Sequence, residues 1–406
     1  MSWGILAPDT LISLRRQQNL GLASAVRHFN DCSVPGLGGM WFAMPILWSV
    51  LAVSIADELR VPALPVGNAI EALMMRKAVQ GPADRRVRGI RKMKGLDDWT
   101  FKNLKRRGTY VVQPIRMAMV QPLVALGFVR GSRYGAFTIH TAGAQMLELP
   151  VMANYRQVLG AWAHGRSPHG LNKVIEDLSP NAAVPPEVRK LIRARLIGGD
   201  YPSTSRRRAL VTLKAGPSAS QLDAAEPLSG IIPDHWTDLR AGAAFMELRN
   251  VALAVLHRLE NSLLQRRDDN KPAVLSVDEA SKVAAEPLAA LRQCARQQGD
   301  RIDAGAEAIS QKFLSEVRDL SVPQLLQKLA ERDGTVIRWR DGRIGLGPAA
   351  GEMPSSYESE PVKDAEPKDA KFAPQLFRLY NLHCLATELN GDVNPGCRDS
   401  ANEVPT

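Results

Sequence analysis

The chain is expected to fall in the mainly α class, and three observations lead there. Apolar residues recur every three or four positions in the longest uninterrupted stretch, 234–267, as Phe245, Leu248, Ala252, Leu256, Leu259 and Leu263. That spacing places them on one stripe of a helix, which must pack on neighbouring helices. From Val151 onward the pattern is almost all helical, with 154–164, 186–196 and 205–214 separated by Gly, Pro and Ser breaks. Strand signals are confined to short hairpins. One is 335–340 with 343–346 around Asp341-Gly342, a dipeptide suited to a type I′ turn.

In chain order, Asp9 opens a short amphipathic helix through Leu20, ended by Gly21. Val34 to Ala56 is uncharged, but three glycines, Pro35 and Pro45 interrupt it, so a buried core helix is expected rather than a membrane span. Asn68 and Glu71 have capping-box spacing and open a helix through Val79, stopped by Gly81-Pro82. Residues 97–107 are expected as a helix, with Asp97 and Asp98 at its positive end and Lys105 to Arg107 at its negative end. A second helix spans 113–126, with Pro114 in its first turn, Pro122 inside it as a kink, and Gly127 as its stop. Phe128-Val129 and 136–140 form a hairpin around a polar turn, and Thr141 caps a helix ended by Pro150. Helices follow over 276–298, 304–320 and 323–332. A linker rich in Pro, Glu, Ser and Lys over 349–371 is expected to be disordered, before a helix at 372–389.

Composition narrows the function classes. With 406 residues, 45% hydrophobic and 23% charged, the chain can bury a real core. Aromatic content of 5% is low for a platform that stacks single-stranded bases. The four cysteines, Cys32, Cys294, Cys384 and Cys397, form no CxxC pair, so neither a zinc knuckle nor a disulfide framework is expected. A reducing, cytoplasmic setting fits, and the N-terminus lacks the pattern of a signal peptide. Charge is concentrated in one place. Residues 76–133 carry fifteen Lys or Arg against Asp84, Asp97 and Asp98, a larger excess than the +10 of the whole chain.

Helix, turn, helix, hairpin, helix over 97–149 is the order of a winged helix-turn-helix. The stretch "LVALGFVRGSRYGAFTIHTAGAQMLEL" resembles the back half of a MarR- or PadR-type winged helix. Leu123, Gly127, Phe128 and Val129 match the end of the recognition helix, and Thr141 to Glu148 match the start of the next. The resemblance covers about an eighth of the chain, and Gly143 comes one residue earlier than the hinge glycine of that pattern. It implies duplex DNA as partner. Only Gln113, Arg116 and Gln121 of the recognition segment are suited to read base edges. Lys102, Lys105, Arg106, Arg107, Arg130 and Arg133 are placed to meet phosphates, which position a protein without specifying sequence. The preceding tract, Arg85, Arg86, Arg88, Arg91, Lys92 and Lys94, is either a basic helical arm along the duplex or a flexible basic linker. In layout, Trp3-Gly4, Val34-Pro35-Gly36, Gly89-Ile90-Arg91 and the winged helix resemble an uncharacterised bacterial family. That family occurs in mobile and phage-defence gene neighbourhoods, which implies a bacterial defence setting.

Enzyme motifs are missing from the sequence. "GLGG" at 36–39 and "GLGPAAG" at 345–351 lack the lysine and flanks of a phosphate-binding loop. His164 and His169 cannot share a helical face, and Asp268-Asp269 and Asp278-Glu279 fit helix ends better than a metal centre. No catalytic residue, metal or cofactor is therefore expected. The expected organisation is an N-terminal helical unit with basic arm (1–95), a winged helix (96–150), a helical domain (151–348), a linker (349–371) and a C-terminal helix with loose tail (372–406). The function expected from this is non-catalytic, backbone-directed duplex-DNA binding within a multi-protein system, with other protein subunits as partners. The competing expectation is a structural adaptor, acting as kleisin-like linkers do, without direct DNA binding.

Overall fold

The computed structural model describes residues 20–82, 84–213, 219–267, 273–351 and 376–397, and among these the chain is mainly helical with two small antiparallel sheets. It divides into two compact units: Met1–Phe29 with Pro233–Asp364, and Asn30–Ile232 with Ala365–Thr406. The cuts differ from those expected at 95, 150 and 348. Helix Ala63–Ala78 packs against Phe101–Leu104, Ile115–Met119 and Tyr134–Ala136, so segments on both sides of residue 95 share one core.

In the first unit, the expected long helix is present as Pro233–Gln265, and it packs along Ala285–Ala304. Phe245, Leu248, Ala252, Leu256, Leu259 and Leu263 are all buried, so the stripe legible in the sequence is the packing face. The expected 276–298 helix is two helices, Val277–Val283 and Ala285–Ala304. Ser276 and Glu279 form a capping box at the start of the first, which uses this acid as a helix-end charge. The hairpin near 335–346 is present as Ile337–Arg340 and Arg343–Leu346. Its turn has φ of 51° at Asp341 and 71° at Gly342, the two positive values a type I′ turn needs. Val274–Ser276 adds a third strand on Arg343–Leu346, too short to register as a period in the sequence.

The second unit is built around Met44–Leu59, whose residues from Met44 to Ala56 are all buried. Pro45 lies in its first turn, where no N–H is needed, so it begins the helix instead of breaking it. Among the described residues no helix is long and apolar enough to cross a membrane. Pro150 likewise starts the helix Pro150–Ala163, in addition to following the one over Thr141–Leu147. His140, not Thr141, caps that shorter helix: its Nδ1 accepts from the Thr141 N–H at 2.6 Å.

Arg207, 2% exposed, ties this unit together without a carboxylate partner among the described residues. Its Nε donates to the Leu196 carbonyl and a terminal nitrogen to the Pro35 carbonyl, each at 2.6 Å. Burial pushes its pKa down to about 10. The helix Phe377–Asn390 docks here too, with the Glu388 carboxylate accepting from the Ala43 N–H at 3.0 Å. Of the expected 9–20 helix only Leu20 is described. Most of the 349–371 linker, the start of the 372–389 helix, the Asp268-Asp269 pair and the Trp3-Gly4 pair lie outside the described residues.

Candidate nucleic-acid interface

Element order over 97–149 is helix, helix, hairpin, helix, yet each piece is shorter than expected. Only Phe101–Leu104 of the 97–107 segment is helical. Thr100 caps it, accepting from Asn103, while Asp98 accepts from the Thr100 N–H at 2.9 Å. The acids therefore end the chain's approach to the helix and do not form its first turn. The 113–126 segment begins as a 3₁₀ turn, Ile115–Met119, and becomes α-helical only over Val120–Ala125. Pro122 falls in the first turn of the α part, so the expected kink is replaced by this change of helix type. Gly127, at φ 77°, stops the helix as expected. Val129–Arg130 pairs antiparallel with Thr138–Ile139 to close the hairpin. Gly143 sits beneath it, where an added Cβ would lie 2.2 Å from the Phe128 carbonyl oxygen.

Two of the three side chains expected to read bases, Arg116 and Gln121, are engaged within the protein, and Gln113 is exposed. Asn68 and Glu71 do not cap a helix, because Ala63–Ala78 starts five residues before Asn68, with Pro62 as its N-cap. Three residues apart inside a helix, they share a face instead. Glu71 accepts from the Ile115 N–H at 2.6 Å and the Arg116 N–H at 3.2 Å, and pairs with the Arg116 guanidinium at 3.3 Å. Asn68 accepts from Arg116 at 3.0 Å. Burial holds the Glu71 carboxyl above its ordinary value of 4.5, against the opposing pull of Arg116 and the two backbone donors.

Gln121 is held as well, donating to Asp31 at 2.7 Å and accepting from Arg378, which itself pairs with Asp31. The glycines of "GLGG" serve this same segment. A Cβ at Gly36 would meet Ala125 at 2.7 Å, and one at Gly38, φ 56°, would meet Pro122 at 2.8 Å. These glycines let the loop lie against 118–125. The segment exposes Gln113, Gln121 and Ala125 together with the apolar Met117 and Val124, and Val112 just before it is 79% exposed against 62% for Met117.

The basic tract before residue 97 is not one helical arm. Only Ile90–Met93 is helical; Arg85 and Arg86 lie in a turn before it and Arg88 in the irregular stretch that follows that turn. Arg86 pairs with Asp84 at 2.7 Å, Arg85 lies over the Trp41 ring at 6.0 Å, and Lys92 donates to the Gly108 and Tyr110 carbonyls. Arg88 also has an internal partner. The tract is thus partly spent on folding. In contrast, Arg91, Lys94, Lys102, Lys105, Arg106, Arg107, Arg130 and Arg133 are exposed, and none forms an ion pair with a described residue.

Lys102, Lys105 and Arg106 also line a cleft of about 1110 Å³. Trp99, Phe101 and Trp162 contribute aromatic walls, and Arg76 and Arg166 add further cations. None of these five was singled out as a site residue by sequence reasoning. The available signal was the Trp99-Thr100-Phe101 run inside the basic stretch; Trp162 and Arg166 lie some sixty residues on and carry no local mark. No group of His, Cys, Asp or Glu able to hold a metal ion occurs among the described residues. No protein-family model matches the chain, and neither a curated protein nor a solved structure is significantly similar to it.

Proposed function

We propose that this chain binds duplex DNA through its backbone, using exposed cations of residues 91–133 and making little use of base sequence. The observation that carries the reading is the set of eight exposed basic side chains without an ion partner among the described residues, set against Arg116 and Gln121, which are held by Glu71, Asn68 and Asp31. Cations that neutralise phosphates release counterions and give affinity without sequence information. A winged helix over 97–149 supplies the scaffold in this reading, and the element order there supports it. The likeness in layout to a bacterial family of mobile and defence neighbourhoods supports a role as one subunit of a multi-protein system.

Selection from a random duplex library tests the first part. The bound pool is expected to keep the base composition of the input, and Arg116→Ala is expected to leave it unchanged. An enriched motif that Arg116→Ala abolishes would sink the proposal.

A specific observation favours a second reading, that of a protein-binding adaptor. Met117 and Val124 are exposed apolar side chains on the segment that a DNA-binding winged helix would turn toward the groove, and Val112 just before it is exposed as well. A partner subunit would cover them. Substituting Met117 and Val124 by Glu separates the readings: loss of a copurifying partner with duplex affinity retained favours a protein contact at this segment.

A further inference from the structure

The cleft beside residues 99–106 has a chemistry that the duplex surface does not explain. Its floor is aromatic: Phe101 and Trp162, both buried, meet edge to face with centroids 5.3 Å apart and planes at 77°. Trp99, also on the lining, is partly exposed, with the Arg76 guanidinium 5.7 Å from its ring. Arg76, Lys102, Lys105, Arg106 and Arg166 stand on the lining against only Asp97 and Asp98. Asp98 is already occupied as acceptor for Thr100. The side chains of Lys102, Arg106 and Arg166 make no hydrogen bond or ion pair with a described residue. A volume of about 1110 Å³ lies just above the roughly 300–1,000 Å³ of pockets that bury small molecules.

We infer that this cleft binds a nucleotide unit, its base against Trp99 and its phosphate among Lys102, Lys105, Arg106 and Arg166. An apolar aromatic surface alone would suit any hydrophobic ligand, and a cationic rim alone any anion. The two together select a ligand with a flat ring at one end and a phosphate at the other. At 5.7 Å the Arg76 guanidinium is within cation–π reach of the Trp99 ring, so a cation and an aromatic face adjoin at this end of the cleft. The unit has two sources, a free nucleotide or the end of a strand, and the size of the cleft admits either.

The inference goes beyond duplex binding and shares Lys102, Lys105 and Arg106 with it, so the test turns on Trp99 and Arg166, which lie outside that surface. Calorimetric titration of the full chain would use adenosine 5′-monophosphate, a 5′-phosphorylated thymidine tetranucleotide, ribose 5-phosphate and inorganic phosphate. Binding of the nucleotide or the tetranucleotide is expected, weakened about tenfold by Trp99→Ala and by Arg166→Ala. Duplex affinity should be unchanged in both variants. Binding of the mononucleotide would identify a free ligand, and binding of the tetranucleotide alone a strand end. The proposal is overturned if neither binds, if ribose 5-phosphate or inorganic phosphate binds as tightly as they do, or if both variants bind like the parent chain. Because Arg166 is exposed, its variant keeps the test valid should Trp99→Ala disturb folding.

Discussion

Glu71 shows how a single side chain redirects a segment. It is 1% exposed, and its two oxygens receive the Ile115 and Arg116 backbone N–H groups together with the Arg116 guanidinium. Three donors on one carboxylate fix where the 3₁₀ turn begins and draw Arg116 inward. The sequence pattern of Asn68 and Glu71 was real, but its meaning depended on where the helix starts. Capping and inward clamping use the same three-residue spacing, and only Pro62 as the actual N-cap decides between them. A charged residue within the apolar run "AIEALMM" was the available sign of a buried pairing. Burial also sets a pH dependence. Because the folded Glu71 carboxyl lies above its ordinary 4.5, the folded state holds this proton more tightly than the unfolded chain does. Its contribution to stability is therefore fully present below about pH 4.5 and lost as pH rises through the folded value. Urea unfolding of the parent chain and Glu71→Gln from pH 4 to pH 8 checks this. Relative to the variant, the parent is expected to lose stability across the window above 4.5; a relative gain there would contradict the assignment.

At the scale of elements, periodicity was informative where one face does all the packing. The stripe from Phe245 to Leu263 and the Asp341-Gly342 turn were legible for that reason: each is decided by neighbours a few residues away. Residues 97–126 were harder to read, because their helices are short and held by distant side chains. Glu71, Asp31 and Arg378 come from three other elements, and the Gly36–Gly39 approach comes from a fourth. Gly143 is the most testable joint in this region. Any side chain there must displace the Phe128 carbonyl, which is backbone and accepts from the His140 N–H. Gly143→Ala is expected to destabilise the chain by about 3 kcal/mol, the upper part of the usual cost of overpacking. Thermal or denaturant unfolding measures it, and a loss below about 0.5 kcal/mol, the range of neutral surface changes, would mean the hairpin–helix junction is not held as described.

For the molecule as a whole, the local charge excess was visible in the sequence, but its division was not. Arg86, Arg116 and Lys92 are absorbed by Asp84, Glu71 and two carbonyls, which leaves the exposed cations as the surface available to a partner. The cleft was hidden for a related reason: its walls come from residues that only the packing of the Pro150–Ala163 helix brings near Phe101. Backbone-directed binding makes a quantitative demand on this surface. Each phosphate neutralised contributes roughly −0.9 to the slope of log affinity against log salt concentration. The most direct measurement is duplex binding by fluorescence anisotropy over a range of salt, for the parent chain and for Lys102, Lys105, Arg106 and Arg107 changed together to Ala. The parent is expected to bind at low salt with a steep negative slope, and the fourfold variant to lose affinity with a slope shallower by about 3 to 4. No binding at low salt, or a variant with the parent's affinity and slope, would contradict the account.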